Sequence, residues 1–203
     1  MIEFYTGTPG SGKSAHVMQQ IQRFANDGRT VIANFPLCHK PFFAAKSFRY
    51  VFVDTFDLDP NELRVRACEF GDGSENSILL VVDEAQLIFN ARDWNDAKRR
   101  DWISFFTQHR KLGYRVILVS QSMEMVDKQI RALAEYNVSH RKPGNFGIIA
   151  RLISLLFADR AFVTVTTWPL GRTRLGSGFF LLTPERAKMY DTSRLLDHQS
   201  GTD

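Results

Sequence analysis

At 203 residues, 44% hydrophobic and 24% charged, the chain has the size and composition of one soluble α/β domain with a buried core, and leaves little length for a second full domain. A net charge of +4 and a pI near 9.2 fit contact with nucleic acid or an anionic membrane surface without requiring either. Cys38 and Cys68 show neither C-x-x-C spacing nor a nearby histidine cluster, so no zinc site or disulfide framework is expected, and both are read as reduced and structural.

Ile2, Phe4 and Tyr5 predict a short apolar strand at the start, which leaves no room for a cleaved leader and places the expected site in the cytoplasm. The next residues, Gly7-Thr8-Pro9-Gly10-Ser11-Gly12-Lys13-Ser14, form a complete G-x-x-x-x-G-K-[ST] string, and Ser14 to Phe24 has helical periodicity. Glycines at this spacing let successive backbone N–H groups turn inward around phosphates. Lys13 then reaches the β- and γ-oxygens and the Ser14 hydroxyl ligates Mg²⁺, with Ala15 closing the nucleotide-contacting run. The strand, loop and helix stand in the order this chemistry needs.

Asn26-Asp27-Gly28 stops the helix, and Thr30 to Phe35 reads as a buried strand ended by Pro36, giving a first βαβ unit. Tyr50 to Val53 is a further strand candidate. A short helix is expected from Pro60 to Ala67 with Asp59 as cap, followed by a loop over Gly71 to Ser74. Ile78 to Val82 is a continuous apolar run carrying Asp83-Glu84 at its end, as expected of a parallel strand buried on both faces. Open α/β sheets bind ligands at the carboxyl edge, so these acids and the glycine loop should converge there. Asp83 suits positioning of Mg²⁺, and Glu84 suits orienting and partly deprotonating an attacking water.

A helix is expected from Asp96 to Leu112 with Trp102, Phe105 and Phe106 facing the core, ended by Gly113, and then a buried strand from Arg115 to Ser120 that brings Gln121 to the same edge. Gln121 is a candidate γ-phosphate sensor; a cap or turn role is the competing reading. Arg110 and Arg131 are candidates for an arginine finger reaching an adjacent subunit's site, against the alternative that they solvate helix faces. A helix over Asp127 to Glu135 is followed by a basic loop at Arg141 to Gly147. Ala161 to Trp168 and Phe179 to Leu182 read as an antiparallel pair around Pro169-Leu170-Gly171, extending the sheet. Lys98-Arg99-Arg100 and His140-Arg141-Lys142 are basic clusters able to grip DNA phosphates or to act as solvated faces. Phe146 to Phe157 is the most apolar stretch, but it is shorter than a membrane span and broken by Arg151; core packing and an amphipathic membrane contact are its two readings.

Thr6 to Ser14, Val81-Val82-Asp83-Glu84-Ala85-Gln86, Gln108 to Tyr114, Leu118 to Gln121 and Tyr190-Asp191-Thr192-Ser193 together resemble the N-terminal cytoplasmic domain of the zonular occludens toxin family, which includes the gene I morphogenesis proteins of filamentous phages. The resemblance covers nearly the whole chain. It implies a single P-loop NTPase domain over residues 1–203, of the additional-strand, RecA- and FtsK-HerA-like class. That class has a mainly parallel central sheet flanked by helices, a strand inserted between the loop strand and the acidic strand, and here a few antiparallel strands near the C-terminus. It implies ATP and Mg²⁺ as cofactors and a homo-oligomeric ring such as a hexamer. Coat or other assembly proteins and single-stranded DNA are the implied partners, at the cytoplasmic face of the host inner membrane. Family members reach that membrane through a spanning helix that follows this domain; this chain contains none, so a truncated form is the favoured expectation and departure of this member from the family is the alternative. Nothing in these residues supports a toxin role.

Three functions follow as expectations. One is an ATP-hydrolysing motor using Lys13, Ser14, Asp83 and Glu84 for phage assembly and DNA export. Another is a nucleotide-gated assembly scaffold with negligible turnover. The third is a small nucleotide kinase, kept open by Arg172 and Arg174. No base-discriminating motif such as N-K-x-D is present, which leaves ATP against GTP undecided.

Overall fold

A computed structural model describes residues 1–90, 96–142, 160–171 and 173–190. Eight strands form one sheet in the order β3-β2-β4-β5-β1-β6-β7-β8, with β1 Ile2–Thr6, β2 Thr30–Ala33, β3 Arg49–Phe52, β4 Ile78–Val82, β5 Tyr114–Val119, β6 Tyr136–Arg141, β7 Ala161–Trp168 and β8 Thr173–Leu181. The six strands from β3 to β6 pair in parallel, and β7 and β8 add antiparallel. β5 lies between β1 and β4, the inserted strand that the resemblance implies. The crossover from β1 to β2 therefore skips two strands.

Helices cover both faces, because β1, β4 and β5 are largely apolar and buried at almost every position, on both sides of the sheet. Ile2, Phe4, Leu80, Val82, Val116 and Leu118 pack against α2 (Pro60–Phe70), α3 (Asp96–Gln108) and α4 (Lys128–Leu133), where Trp102, Phe105 and Phe106 meet Phe89 and Tyr114 edge to face. The alternate residues Tyr5, Leu79, Val81, Ile117 and Val119 pack on Val17, Met18, Ile21 and Phe24 of α1 (Lys13–Asn26), joined by Met189 just past α5 (Pro184–Lys188).

Several expected boundaries move. Helix α3 stops at Gln108, and the expected stretch to Leu112 is a turn that Gly113 closes at φ 77, its N–H donating to the Arg110 carbonyl. Helix α2 runs three residues beyond Ala67 to Phe70. The expected loop beginning at Arg141 is preceded by a strand that the sequence reading missed: β6 ends at Arg141 and pairs in parallel with β1. Cys38 and Cys68 are free and exposed, so the structural role read for them fails. Phe146 to Phe157, Arg172 and Asp191 to Ser193 lie outside the described residues.

Candidate functional site

The parallel register brings three strand ends together. Tyr5 lies opposite Val119, and Val82 opposite Leu118, so the segments that follow them, Gly7 onward, Gln121 and Asp83-Glu84, share one edge. The Gly7 N–H donates to the Gln121 carbonyl at 3.2 Å, and Ser120 N–H to the Tyr5 carbonyl at 3.0 Å. The Gln121 side chain is exposed at this edge.

Gly7, Gly10 and Gly12 all have positive φ, and Gly12, at φ 101, leads directly into α1 without a side-chain cap. The uncapped N–H groups at the helix start, on a loop of alternating handedness, make a concavity suited to an anion. A methyl at Gly7 would fall 2.6 Å from the His140 carbonyl oxygen and 2.6 Å from Ser11 Oγ, and one at Gly12 would strike the Phe162 ring. The cradle thus exists only because these positions lack Cβ. The buried Ser11 hydroxyl beneath Gly7 has no hydrogen-bond partner among the described residues.

Lys13 folds over the loop and donates to the carbonyls of Gly7 at 2.7 Å and Thr8 at 3.2 Å. Burial draws its pKa below the usual lysine value, while Glu84 and Asp83 pull it back up. These opposing effects place the ammonium in the field of both acids.

Asp83 is held on every side. Its Oδ2 accepts from the Tyr190 hydroxyl at 3.0 Å, its Oδ1 from the Glu84 N–H at 2.9 Å, and its N–H donates to Asn34 Oδ1 at 2.6 Å. Asn34 Nδ2 returns to the Asp83 carbonyl at 2.9 Å and to Thr55 Oγ1 at 3.0 Å. Burial raises the carboxyl pKa above the ordinary aspartate value, and the Tyr190 and Glu84 hydrogen bonds oppose that rise. Glu84 has left-handed backbone, φ 49 and ψ 47, a conformation that costs a non-glycine residue on the order of 1–3 kcal/mol. It aims the side chain off the strand, where Gln86 Nε2 donates to Oε2.

Lys13, Ser14, Asp83, Glu84 and Gln121 thus share the loop edge. Arg131 lies across a cleft of about 770 Å³ that begins at Thr6, Gly7 and Thr8 and continues past Gln121 to Arg141 and Trp168. Arg110 lies at the other end of β1, where it pairs with Glu135 at 2.6 Å beside the Met1 ammonium. The basic clusters split: Arg99 is bound to Asp127 at 2.9 Å, and His140 is buried, leaving Lys98, Arg100, Arg141 and Lys142 exposed.

Behind the loop runs a largely buried chain of hydrogen bonds. The Thr6 carbonyl can only accept, so His140 Nδ1 donates to it at 3.2 Å. His140 Nε2 then accepts from His16 Nδ1 at 2.9 Å, and His16 Nε2 from Gln20 Nε2 at 3.1 Å. Both imidazoles are neutral in this arrangement. Burial and, for His16, its neighbour draw the pair down to about 3 for His16 and about 4 for His140. Asn34, His16, the buried role of His140, which the sequence reading assigned to a basic cluster, and the Tyr190 contact with Asp83 escaped the sequence reading. A polar Asn ending the apolar strand β2 was the one available signal for Asn34.

The donor set fits Mg²⁺. Among the described residues no group of three or more His, Cys, Asp or Glu stands together as an ion cage, and Mg²⁺ held through a hydroxyl, a carboxylate, waters and phosphate oxygens needs none. No helix among the described residues is long and apolar enough to cross a membrane.

The family model described as "Zonular occludens toxin (Zot)" matches residues 1–172. The chain is 37% identical over 163 residues to the gene 1 protein of Enterobacteria phage I2-2, covering 76% of this chain and 44% of that protein. The N-terminal domain of zonular occludens toxin from Neisseria meningitidis superposes with a TM-score of 0.56 at 19% identity, covering 94% of this chain and 98% of that one. The genome packaging NTPase B204 of Sulfolobus turreted icosahedral virus 2, in complex with AMPPCP, superposes at 0.52 with 14% identity, over 88% and 95% of the two chains. The fold is that of a P-loop NTPase. The chain spans about half the length of the curated relatives it matches.

Proposed function

Because the chain belongs to the zonular occludens toxin family, we propose that it is the ATP-binding and hydrolysing motor domain of a protein that assembles and extrudes filamentous phage through the host inner membrane. The observation that carries this reading is the convergence of an anion cradle, a half-buried aspartate and a strained glutamate on one sheet edge. A site that only bound nucleotide would need the cradle and Lys13, whereas Glu84, held in a costly conformation beside them, suits activation of water.

Ser14 and Asp83 would hold Mg²⁺. When bound, the ion neutralises charge on the transferring phosphoryl group. The rest falls to the chain's own groups. Lys13 leaves the Gly7 and Thr8 carbonyls for phosphate oxygens, and the loop N–H groups take the remaining ones. Glu84 accepts a proton from the attacking water, and Gln121 orients that water or the γ-phosphate. Arg131, in the cleft beside Gly7, is placed to meet developing charge or an adjoining subunit of a homo-oligomeric ring. Arg110, at the far edge, can act only on another subunit's site. The exposed cations Arg141, Lys142 and Lys98 offer contacts to single-stranded DNA, and phage coat or assembly proteins are the other partners. Attachment at the cytoplasmic face of the membrane would come through a segment outside this chain.

The test is ATP hydrolysis by the purified domain across protein concentration, with Glu84→Gln as control and single-stranded DNA added or omitted. Specific activity rising with concentration and abolished in the variant supports the motor. Tight ATP binding without turnover under all these conditions contradicts hydrolysis by this domain.

A further inference from the structure

The cradle orients any nucleotide it holds. Lys13 serves the β- and γ-phosphates, so the α-phosphate lies toward Ser14 and Ala15, and the nucleoside must leave over the first turn of α1. A cleft of about 490 Å³ opens there. Its floor is Ala15 and Met18, and its far wall is Leu182, Arg186 and Tyr190, three residues spaced by four along α5 and its flanks. This wall is fixed before any ligand arrives. The Leu182 N–H donates to the Arg160 carbonyl at 2.9 Å, Thr183 Oγ1 caps α5 at the Arg186 N–H, and the Met189 carbonyl accepts from Cys38 N–H at 3.0 Å while the Met189 side chain is buried against α1. The C-terminal end of the wall reaches the phosphate side, because the Tyr190 hydroxyl is the donor to Asp83 Oδ2.

We propose that Leu182 and Arg186 form the nucleoside subsite of this nucleotide site, with one face of the base lying flat against the wall made by the apolar Leu182 surface and the Arg186 guanidinium. This rests on the nucleotide-binding reading above and extends it. The described lining of the cleft carries no carboxylate or amide side chain that could read a base edge. With the Arg186 guanidinium stacked on the base and its donors turned from the base edge, recognition falls on the π-face that every base shares, which admits adenine and guanine alike.

The test is displacement of N-methylanthraniloyl-ADP by ADP, GDP and inorganic tripolyphosphate, for the wild-type chain and for Leu182→Ala and Arg186→Ala. Wild type should bind ADP and GDP within about threefold of each other, and each variant should lose about tenfold in ADP affinity, the loss of one stacking partner. Tripolyphosphate, which has no nucleoside, should bind all three proteins equally and so reports an intact cradle. Variants that bind ADP as wild type does would overturn the subsite, as would an equal loss of tripolyphosphate or a wild type that strongly prefers one base. If the wild type binds neither nucleotide nor tripolyphosphate, the nucleotide reading itself falls.

Discussion

The strands on the two sides of β1 meet the phosphate loop with opposite chemistry. Toward β5 and β4 the interior is largely apolar, with the Glu3–Arg115 ion pair between β1 and β5 at 2.7 Å, and the polar groups that face the loop stand where the strands end, at Gln121, Asp83 and Glu84. Toward β6, β7 and β8 the interior is itself polar and aromatic: Thr6 Oγ1 donates to Asn137 at 2.8 Å, His16 donates to His140 at 2.9 Å, and Phe162 stacks on Phe180 at 5.4 Å against Gly12. The first side supplies reactive groups, and the second fixes the shape of the loop they act on. A continuous apolar strand can end in a carboxylate because nothing inside it competes for hydrogen bonds. A strand that must support a glycine loop instead carries the polar and ring atoms that occupy the missing Cβ positions.

Breaking the reactive side should have the largest effect on turnover. Glu84→Gln is expected to lower ATP hydrolysis by about 10²–10⁴-fold, the range of a positioned general base, with nucleotide affinity and unfolding midpoint preserved. Phosphate release and nucleotide titration on the same sample check this.

Breaking the supporting side should appear first in stability. Gly12→Ala combines a collision with Phe162 and a φ of 101, and is expected to cost about 2–5 kcal/mol in urea unfolding. Adding Phe162→Ala should relieve the collision but leave the backbone strain, so the double variant should lose less than the two single losses combined. Additivity would mean that the ring does not set the loop.

Tyr190→Phe removes a donor to a half-buried carboxylate and should cost about 1–3 kcal/mol while raising the Asp83 pKa further. Urea unfolding curves collected above neutral pH measure the loss; an unchanged midpoint would contradict the contact.

The histidine pair predicts a pH window. Both folded-state values, about 3 and about 4, lie below the ordinary 6.5, so on acidification the unfolded chain takes up protons before the folded one does. The stability linked to the pair is complete above about pH 6.5 and is lost progressively as pH falls toward 4 and then 3. His16→Gln should flatten that slope in unfolding midpoints taken between these limits. The smallest effect belongs to Arg110→Ala, whose exposed pair with Glu135 should contribute less than about 1 kcal/mol to unfolding stability.

The same contrast governs what could be read from the sequence. The loop, the Ile78 to Val82 run with its acids, and the Arg115 to Ser120 strand were legible because apolar continuity and a full-length motif are local signals. β6 was not. In Tyr-Asn-Val-Ser-His-Arg only Val138 is a buried aliphatic residue, and Asn137, Ser139 and His140 are satisfied by Thr6 across the sheet, a partner about 130 positions away. The histidine chain and the Tyr190 contact to Asp83 are likewise products of topology. Asn34 stood at the end of a recognised strand, yet its role depends on β2 lying beside β4, which strand order alone reveals.

The most direct test of the account is a single-turnover measurement with ATP bound to excess protein, comparing wild type with Glu84→Gln. Bound ATP converted to ADP and phosphate by the wild type, and retained intact at equal affinity by the variant, is the predicted result. Equal conversion by both proteins would remove Glu84 from the chemistry and contradict the site as described.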